Sequence, residues 1–492
     1  MKILFLPLDE RPCNYSYAPM IARKNERLDL ILPDKEILSH KKQPADIEAI
    51  KKFLLDNVEQ ADVAVLSMDM LIYGGLLPSR LHEKSFEDLS KNIEILQDLK
   101  KKNPKVKIYA FQSLMRCPQY NSSEEEPDYY ADYGYKIFKQ KYLEDKSQRD
   151  DISAAEEAEL SSIQIPAEIL NDYVQRRRTN LKVNETILSD VKKGLIEFLI
   201  IPQDDSSPYG YTALDQQKLI NQIQKENLQE KTMIFPGADE IGMTLINRAY
   251  NDFYHVQPKV FAIYSSILGP TIIPLYEDRP LYSTLADHLV ATNSLLVDSP
   301  EEADYILAIN TPGKKMQESF AEKKDITYST FRNLRLFCQK IQYYLDKGVK
   351  VAVADSAYAN GGDYALINYL DSMNLLDRLA GYAGWNTDAN TLGTVIAQAE
   401  IGENKDIDNL KARIIEDVFY QANVRQNVVN NFLPQHSLSY YDFKDKEDLV
   451  KQEIANELLA KYNNLQLAKK YPIDHLQISM PWHRMFEIKV SI

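Results

Sequence analysis

The sequence predicts an α/β protein built on parallel sheets, and three observations carry that reading. Short apolar, β-branched runs alternate with longer amphipathic stretches, which is the pattern of βαβ units. Several of the runs are apolar nearly throughout, as strands covered on both faces must be. Dense polar clusters follow the runs, where the carboxyl ends of parallel strands converge on a pocket.

Taken in order, the runs fall at residues 2–8, 28–32, 63–68, 107–112, 197–202, 232–235, 259–264, 305–309, 350–354 and 379–384. Helical periodicity separates them, for example over 86–101 and 331–347. Residues 121–184 interrupt the rhythm. They are rich in Glu, Lys, Arg and Tyr with no strand signal, and read as a helical insertion serving as a lid or a homodimer arm. The charge runs in this stretch, SSEEEPD and QRRRTN, read as solvated faces. After Gly402 the strand rhythm stops, and the tail LQISMPWHRMFEIKV adds a final strand. The expected organisation is an N-terminal α/β domain over 1–252, a second, smaller α/β domain over 253–402, and a helical C-terminal segment over 403–492. The first domain suits either a (β/α)8-like barrel or an open, doubly wound sheet.

Bulk composition excludes several classes. With 492 residues and 44% hydrophobic content the chain is long enough for more than one core. A formal charge of -14 argues against a nucleic-acid partner, because neutralising phosphates takes a basic face. Cys13, Cys117 and Cys338 lie far apart with no CxxC or Cys/His spacing, so free thiols in a reducing compartment are expected. The opening MKILFLPLDERP holds too short an apolar run for a signal peptide, and no run approaches the ~18 apolar residues of a membrane span. A cytoplasmic protein without a membrane partner is expected.

The chemistry sits after the strands. The first run ends in DERPCN (Asp9, Glu10, Arg11) and the third in SMDMLIYGGLLPSR (Asp69, Tyr73, Arg80). The fourth ends in QSLMR (Arg116), the fifth in PQDDSSPYG (Asp204, Asp205, Tyr209) and the sixth in PGADEIG (Asp239, Glu240). Later come DSAYANGGD (Asp355, Asn360, Asp363) and GYAGWNTDAN (Trp385, Asn386). Any one such Asp or Asn is read as readily as the N-cap of the next helix, Asp239 and Asp355 above all. So many clusters, with acids side by side, ask for more than capping. In the Asp204–Asp205 pair two carboxylates held close cannot both ionise cheaply, so one becomes a candidate general acid. The bland reading of the pair is one cap plus one solvated carboxylate.

Histidine is scarce and none of the seven falls in these clusters, so zinc hydrolase chemistry is not expected. GxSxG, GxxxxGK[ST] and GxGxxG are all absent. What remains is carboxylate, arginine, tyrosine and amide chemistry. Trp385, in a polar glycine-flanked loop, suits stacking on a sugar face as well as it suits a core; Trp482 reads as packing at a domain junction.

Taken together, LPLDERPCN, MDMLIYGGLLPSR, QDDSSPYGYTAL, PGADEIGMTLINRA, YEDRPLYSTLADHL, ADSAYANGGD, AGWNTDANTLGT and PWHRMFE resemble a bacterial family catalogued only as a domain of unknown function. The resemblance runs across almost the whole chain in the expected order, with Gly362 where alanine is expected. It implies kinship and a shared site, not a reaction. The Asp–Asp pair after a central strand is also similar to that of substrate-assisted hexosaminidases on (β/α)8 barrels. That similarity implies a glycoside hydrolase acting on a small N-acetylhexosamine-type glycoside, with no cofactor. Asp205 would be the acid and Asp204 the orienter of the acetamido group. Asp9, Arg11, Asp69, Tyr73, Arg116, Tyr209, Asp239, Glu240, Asn360, Asp363 and Asn386 would hold the sugar, and Trp385 would stack on it. Two other readings stand beside it. One is a magnesium- or manganese-dependent hydrolase or transferase whose Arg11, Arg80, Arg116 and Arg279 clamp an anionic metabolite. The other is a sugar- or metabolite-binding protein without turnover.

Overall fold

The computed structural model describes residues 1–402 and 406–492. The expected boundary between residues 402 and 403 abuts residues 403–405, which lie outside the described residues. The chain divides into two compact units. The first comprises Met1–Glu10, Asp29–Leu245 and Tyr276–Asp278; the second comprises Arg11–Leu28, Ile246–Leu275 and Arg279–Ile492.

The first unit is organised on six parallel strands: β1 (Lys2–Leu6), β2 (Asp29–Ile31), β3 (Val63–Ser67), β4 (Lys107–Phe111), β5 (Phe198–Gln203) and β6 (Thr232–Pro236). Their order is β2-β1-β3-β4-β5-β6. β3 and β5 are buried along their whole length, which is why their sequences read as unbroken apolar runs. The order reverses between β1 and β3, as in doubly wound sheets, whose ligand crevice opens where the carboxyl ends diverge at that reversal. All six carboxyl ends lie on one edge of the sheet, because every pairing is parallel. The insertion is helical as expected, with helices Tyr130–Arg149, Ala154–Ser162 and Ala167–Lys192, the last running past residue 184. Tyr130, Ile137 and Tyr173 from these helices form a small core with Met115 and Cys117, on the segment that follows β4.

The second unit has its own parallel sheet. Its strands are β7 (Lys259–Tyr264), β8 (Leu295–Leu296), β9 (Tyr305–Asn310), β11 (Lys350–Asp355) and β13 (Gly381–Ala383), ordered β13-β11-β9-β7-β8. Two-residue strands β10 (Gln317–Glu318) and β12 (Tyr358–Ala359) pair beside it, and β14 (Gln477–Ser479) pairs with β15 (Lys489–Ser491) near the end of the chain. Each run read as a strand from the sequence is a strand. The residues that follow 405 share one core with this sheet: Ile414, Val418, Phe419, Tyr462 and Met485 pack with Ile306, Val351 and Val353. Part of that stretch, Ile414–Val424, is wound as a π-helix, a rare form. All three cysteines are free and buried. No described helix is long and apolar enough to cross a membrane.

Candidate active site

In the first unit each strand delivers a polar loop to the same edge. After β1, Asp9 is buried, and the Glu10 carboxylate accepts from Ser39 Oγ at 2.8 Å and from the Lys41 N–H at 2.8 Å. After β3 the chain turns at once into helix Met68–Tyr73, which Ser67 caps by accepting from the Met70 N–H. The helix ends at Gly74, whose φ of +88° and close packing leave no room for a side chain: a Cβ there would stand 2.8 Å from Ala45 N. This explains the YGG of the motif. The first turn of the helix buries Asp69, which accepts from the Ser113 N–H at 2.8 Å. Burial pushes the Asp69 carboxyl up to about 7.

Leu114, three residues past the end of β4, bridges Gln203, the last residue of β5, and this carries Arg116 to the aspartate pair. The insertion fixes Arg116 from behind: Tyr173 Oη and Arg177 Nη1 both donate to its carbonyl, at 3.0 and 3.2 Å. Arg116 Nη1 donates to Asp204 Oδ2 at 3.1 Å and to Asp205 Oδ2 at 3.0 Å. Arg80, on helix Leu76–Leu81, adds a 2.7 Å bond from Nη2 to Asp204 Oδ2. Both guanidinium groups also hold Glu125 and Glu126. Arg116 Nη2 and Arg80 Nη1 reach Glu125 Oε2 at 2.8 and 3.1 Å, and Arg116 Nε reaches Glu126 Oε1 at 2.7 Å. The Asp204 and Asp205 side chains are 24% and 17% exposed, so this buried ionic cluster still meets solvent at its aspartates.

The pair is electrostatically asymmetric. Asp205 is pushed up to about 7, first by burial and then by the neighbouring Asp204 charge, with Arg116 and Arg80 opposing. Asp204 receives two guanidinium groups on one oxygen. Asp205 also has a φ of +46°, a left-handed conformation that is strained in a non-glycine residue and recurs at functional sites.

The remaining first-unit candidates divide. Glu240 is engaged locally, accepting from the Ala238 N–H at 3.1 Å, and a Cβ at Gly237 would collide with its carboxylate. Asp239 is buried on the same loop. Tyr73 is buried and packs its ring on His82 at 5.0 Å. Tyr209 turns away from the aspartates: its hydroxyl donates to Asp150 at 2.9 Å and its ring lies under Arg149 at 4.5 Å. Arg116 is better described as the support of the aspartates than as a sugar ligand. Glu125 and Glu126, in the SSEEEPD run expected to be a solvated face, correct that expectation. Glu126 is fully buried, because two nonlocal arginines compensate its charge.

The other candidates belong to the second unit. Arg11 stacks over Trp482 at 4.6 Å, and Arg484 stands over the same ring at 4.5 Å. Asn360 and Asn386, at φ of +54° and +52°, are joined by a 2.7 Å bond from the Asn360 N–H to the Asn386 carbonyl. Asp363 caps helix Tyr364–Ser372 and pairs with Arg332 at 2.6 Å. Trp385 serves the core rather than a sugar face: it is buried, edge-on to Tyr17 at 5.5 Å, with its indole N–H spent on Thr394. Asp355 is not a helix cap. Its oxygens accept from Asn310 Nδ2, the Asp363 N–H and Tyr382 Oη at 2.7–2.8 Å, and burial, then Asp363, raise it to about 6. Asp417, on the π-helix, accepts from Arg413 at 2.8 Å and from the Gly384 N–H at 2.9 Å, and burial raises it to about 7.

For cofactors, among the described residues no group of three or more His, Cys, Asp or Glu is arranged to hold a metal ion. Three of the arginines named for an anion clamp are occupied: Arg80 and Arg116 by the carboxylate cluster, and Arg279 by Asp287 at 2.8 Å. A family model described as "Protein of unknown function (DUF4127)" matches residues 3–491. No curated protein matches the chain.

Proposed function

The chain belongs to this family of unknown function, and we propose that it is a glycoside hydrolase acting on a small amino-sugar glycoside, with Asp205 as general acid and Asp204 as the group that orients the substrate. One observation carries the reading. Two adjacent, partly accessible aspartates share one guanidinium nitrogen, and burial and mutual repulsion leave Asp205 holding a proton near pH 7. A carboxylic acid of that kind can protonate a leaving glycosidic oxygen as the C–O bond breaks. Asp204 bonds its arginines through Oδ2, and its Oδ1 is the acceptor proposed to orient the substrate's acetamido N–H. Buried Asp9, Asp69 and Asp239 follow β1, β3 and β6 on the same edge of the sheet and supply hydroxyl-binding groups. The arginine pairing weighs against the anionic-metabolite reading, since a clamp on phosphate or carboxylate needs guanidinium groups not already committed to acids.

A panel of chromogenic glycosides, assayed with and without EDTA, tests the proposal. Hydrolysis of a hexosaminide that is indifferent to EDTA and lost in Asp205→Asn supports it. EDTA-sensitive turnover returns weight to the metal-dependent reading. Ligand binding without turnover supports a sugar- or metabolite-binding protein.

A further inference from the structure

We infer that Glu126 is a positioning residue for the aspartate pair, and that with Glu125 it keeps Arg116 from binding either aspartate through its Nε/Nη2 edge. An arginine presents five N–H donors in a rigid planar fork, and the Nε/Nη2 edge of that fork is one that grips a carboxylate with two parallel bonds. In Arg116 that edge is taken by the glutamates: Nε by Glu126 and Nη2 by Glu125. Only Nη1 is left for Asp204 and Asp205, one bond to each. Arg80 is also shared between the glutamates and the pair, but through its other nitrogens. Its Nη1 faces Glu125 and Glu126, at 3.1 and 3.5 Å, and its Nη2 faces Asp204.

The glutamates therefore ration positive charge. Without them Arg116 could close a bidentate pair on Asp205, and the proton would leave. Glu126 is suited to this work because it is fully buried and its carboxylate stays in place. Its Oε2 has no hydrogen-bond partner among the described residues, so its engagement with the protein runs through the arginine-facing Oε1. The loop that carries it is tied down separately: Lys42 Nζ donates to the carbonyls of Ser123 and Glu126 at 2.6 and 3.2 Å.

The catalytic meaning of this arrangement rests on the hydrolase reading of Asp205; the titration that tests it does not. The full chain is labelled with aspartate carrying 13C at the side-chain carboxyl, and Asp205→Asn identifies the Asp205 resonance. In Glu126→Gln the charge of the glutamate is gone and Arg116 turns more fully to the aspartates. The Asp205 midpoint then falls by about one pH unit, and the basic limb of kcat/KM on the best glycoside moves down with it. Glu125→Gln moves both the same way by less. Glu126→Asp, which keeps the charge, restores most of the wild-type midpoint. A folded Glu126→Gln protein whose Asp205 midpoint is unmoved or higher overturns the inference. Should Glu126→Gln fail to fold, Glu125→Gln decides, because the Glu125 side chain is 21% exposed and tolerates an amide; an unmoved midpoint there also overturns it. Absence of hydrolysis across the panel defeats the hydrolase reading alone, and the midpoints still judge the role of Glu126.

Discussion

Both units hold aspartates whose proton affinity burial raises, yet the two sets of acids are built differently. In the second unit the Asp355 oxygens receive an amide, a backbone N–H and a phenol, and the Asp417 oxygens receive a guanidinium and a backbone N–H. Both acids are fully enclosed. In the first unit Asp204 and Asp205 keep access to solvent and draw on a guanidinium supply shared with two glutamates. Burial raises the proton affinity of Asp205, Asp355 and Asp417 alike, into the range of about 6 to 7. A raised affinity therefore marks burial. On the proposed reading, what separates a reactive acid from a structural one is access, together with incomplete satisfaction by its own protein.

Exchanging aspartate for asparagine in each unit breaks or sharpens that comparison. Asp205→Asn is expected to slow turnover by ~10²–10⁴-fold, less on substrates with activated leaving groups, with little loss of stability. Asp204→Asn is expected to slow activated and unactivated substrates alike, because its proposed role is orientation. Asp355→Asn is expected to do the reverse of Asp205→Asn. Its carboxamide puts an N–H2 where a carboxylate met three donors, which costs about 2–4 kcal/mol of stability and shows as a lower Tm in thermal denaturation. A large rate loss in a stably folded Asp355→Asn protein would erase the distinction between the two clusters.

A smaller effect concerns pH. The folded-state value of Asp205, about 7, lies above the ordinary carboxylate value of 3.8. The folded state thus binds this proton more tightly than the unfolded chain, and its contribution to stability is lost as pH rises from about 4 to 7. Asp205→Asn lacks that loss. Its Tm relative to wild type should rise across this window and level off above it. A Tm difference that does not change with pH would mean that Asp205 titrates normally.

Much of this was legible in the chain itself. The strands declared themselves because burial on both faces demands unbroken apolar runs, as in FLIIP before Asp204. The two-residue β8 was not readable, since Leu295–Leu296 is too short to show a period. The aspartate pair was legible from its place at a strand end. Glu126 was not, because nothing local in SSEEEPD distinguishes a solvated charge run from one neutralised by Arg80 and Arg116, which lie 46 and 10 residues away. Trp385 was ambiguous for a similar reason. Its polar neighbours Asn386 and Thr387 suggest a binding loop, and only the folded chain shows Tyr17 against its ring. The division between Glu10 and Arg11 likewise falls inside one motif, DERP, with no composition shift to mark it.

The central claim is that Asp205 carries a proton near neutral pH. Difference infrared spectroscopy of wild type against Asp205→Asn, titrated from pH 4 to pH 9 as a function of carboxyl absorbance, tests it most directly. The account predicts one protonated-carboxyl band, absent from the variant and lost with a midpoint of about 7. A carboxyl already ionised at pH 5, with no band above that pH, would contradict it.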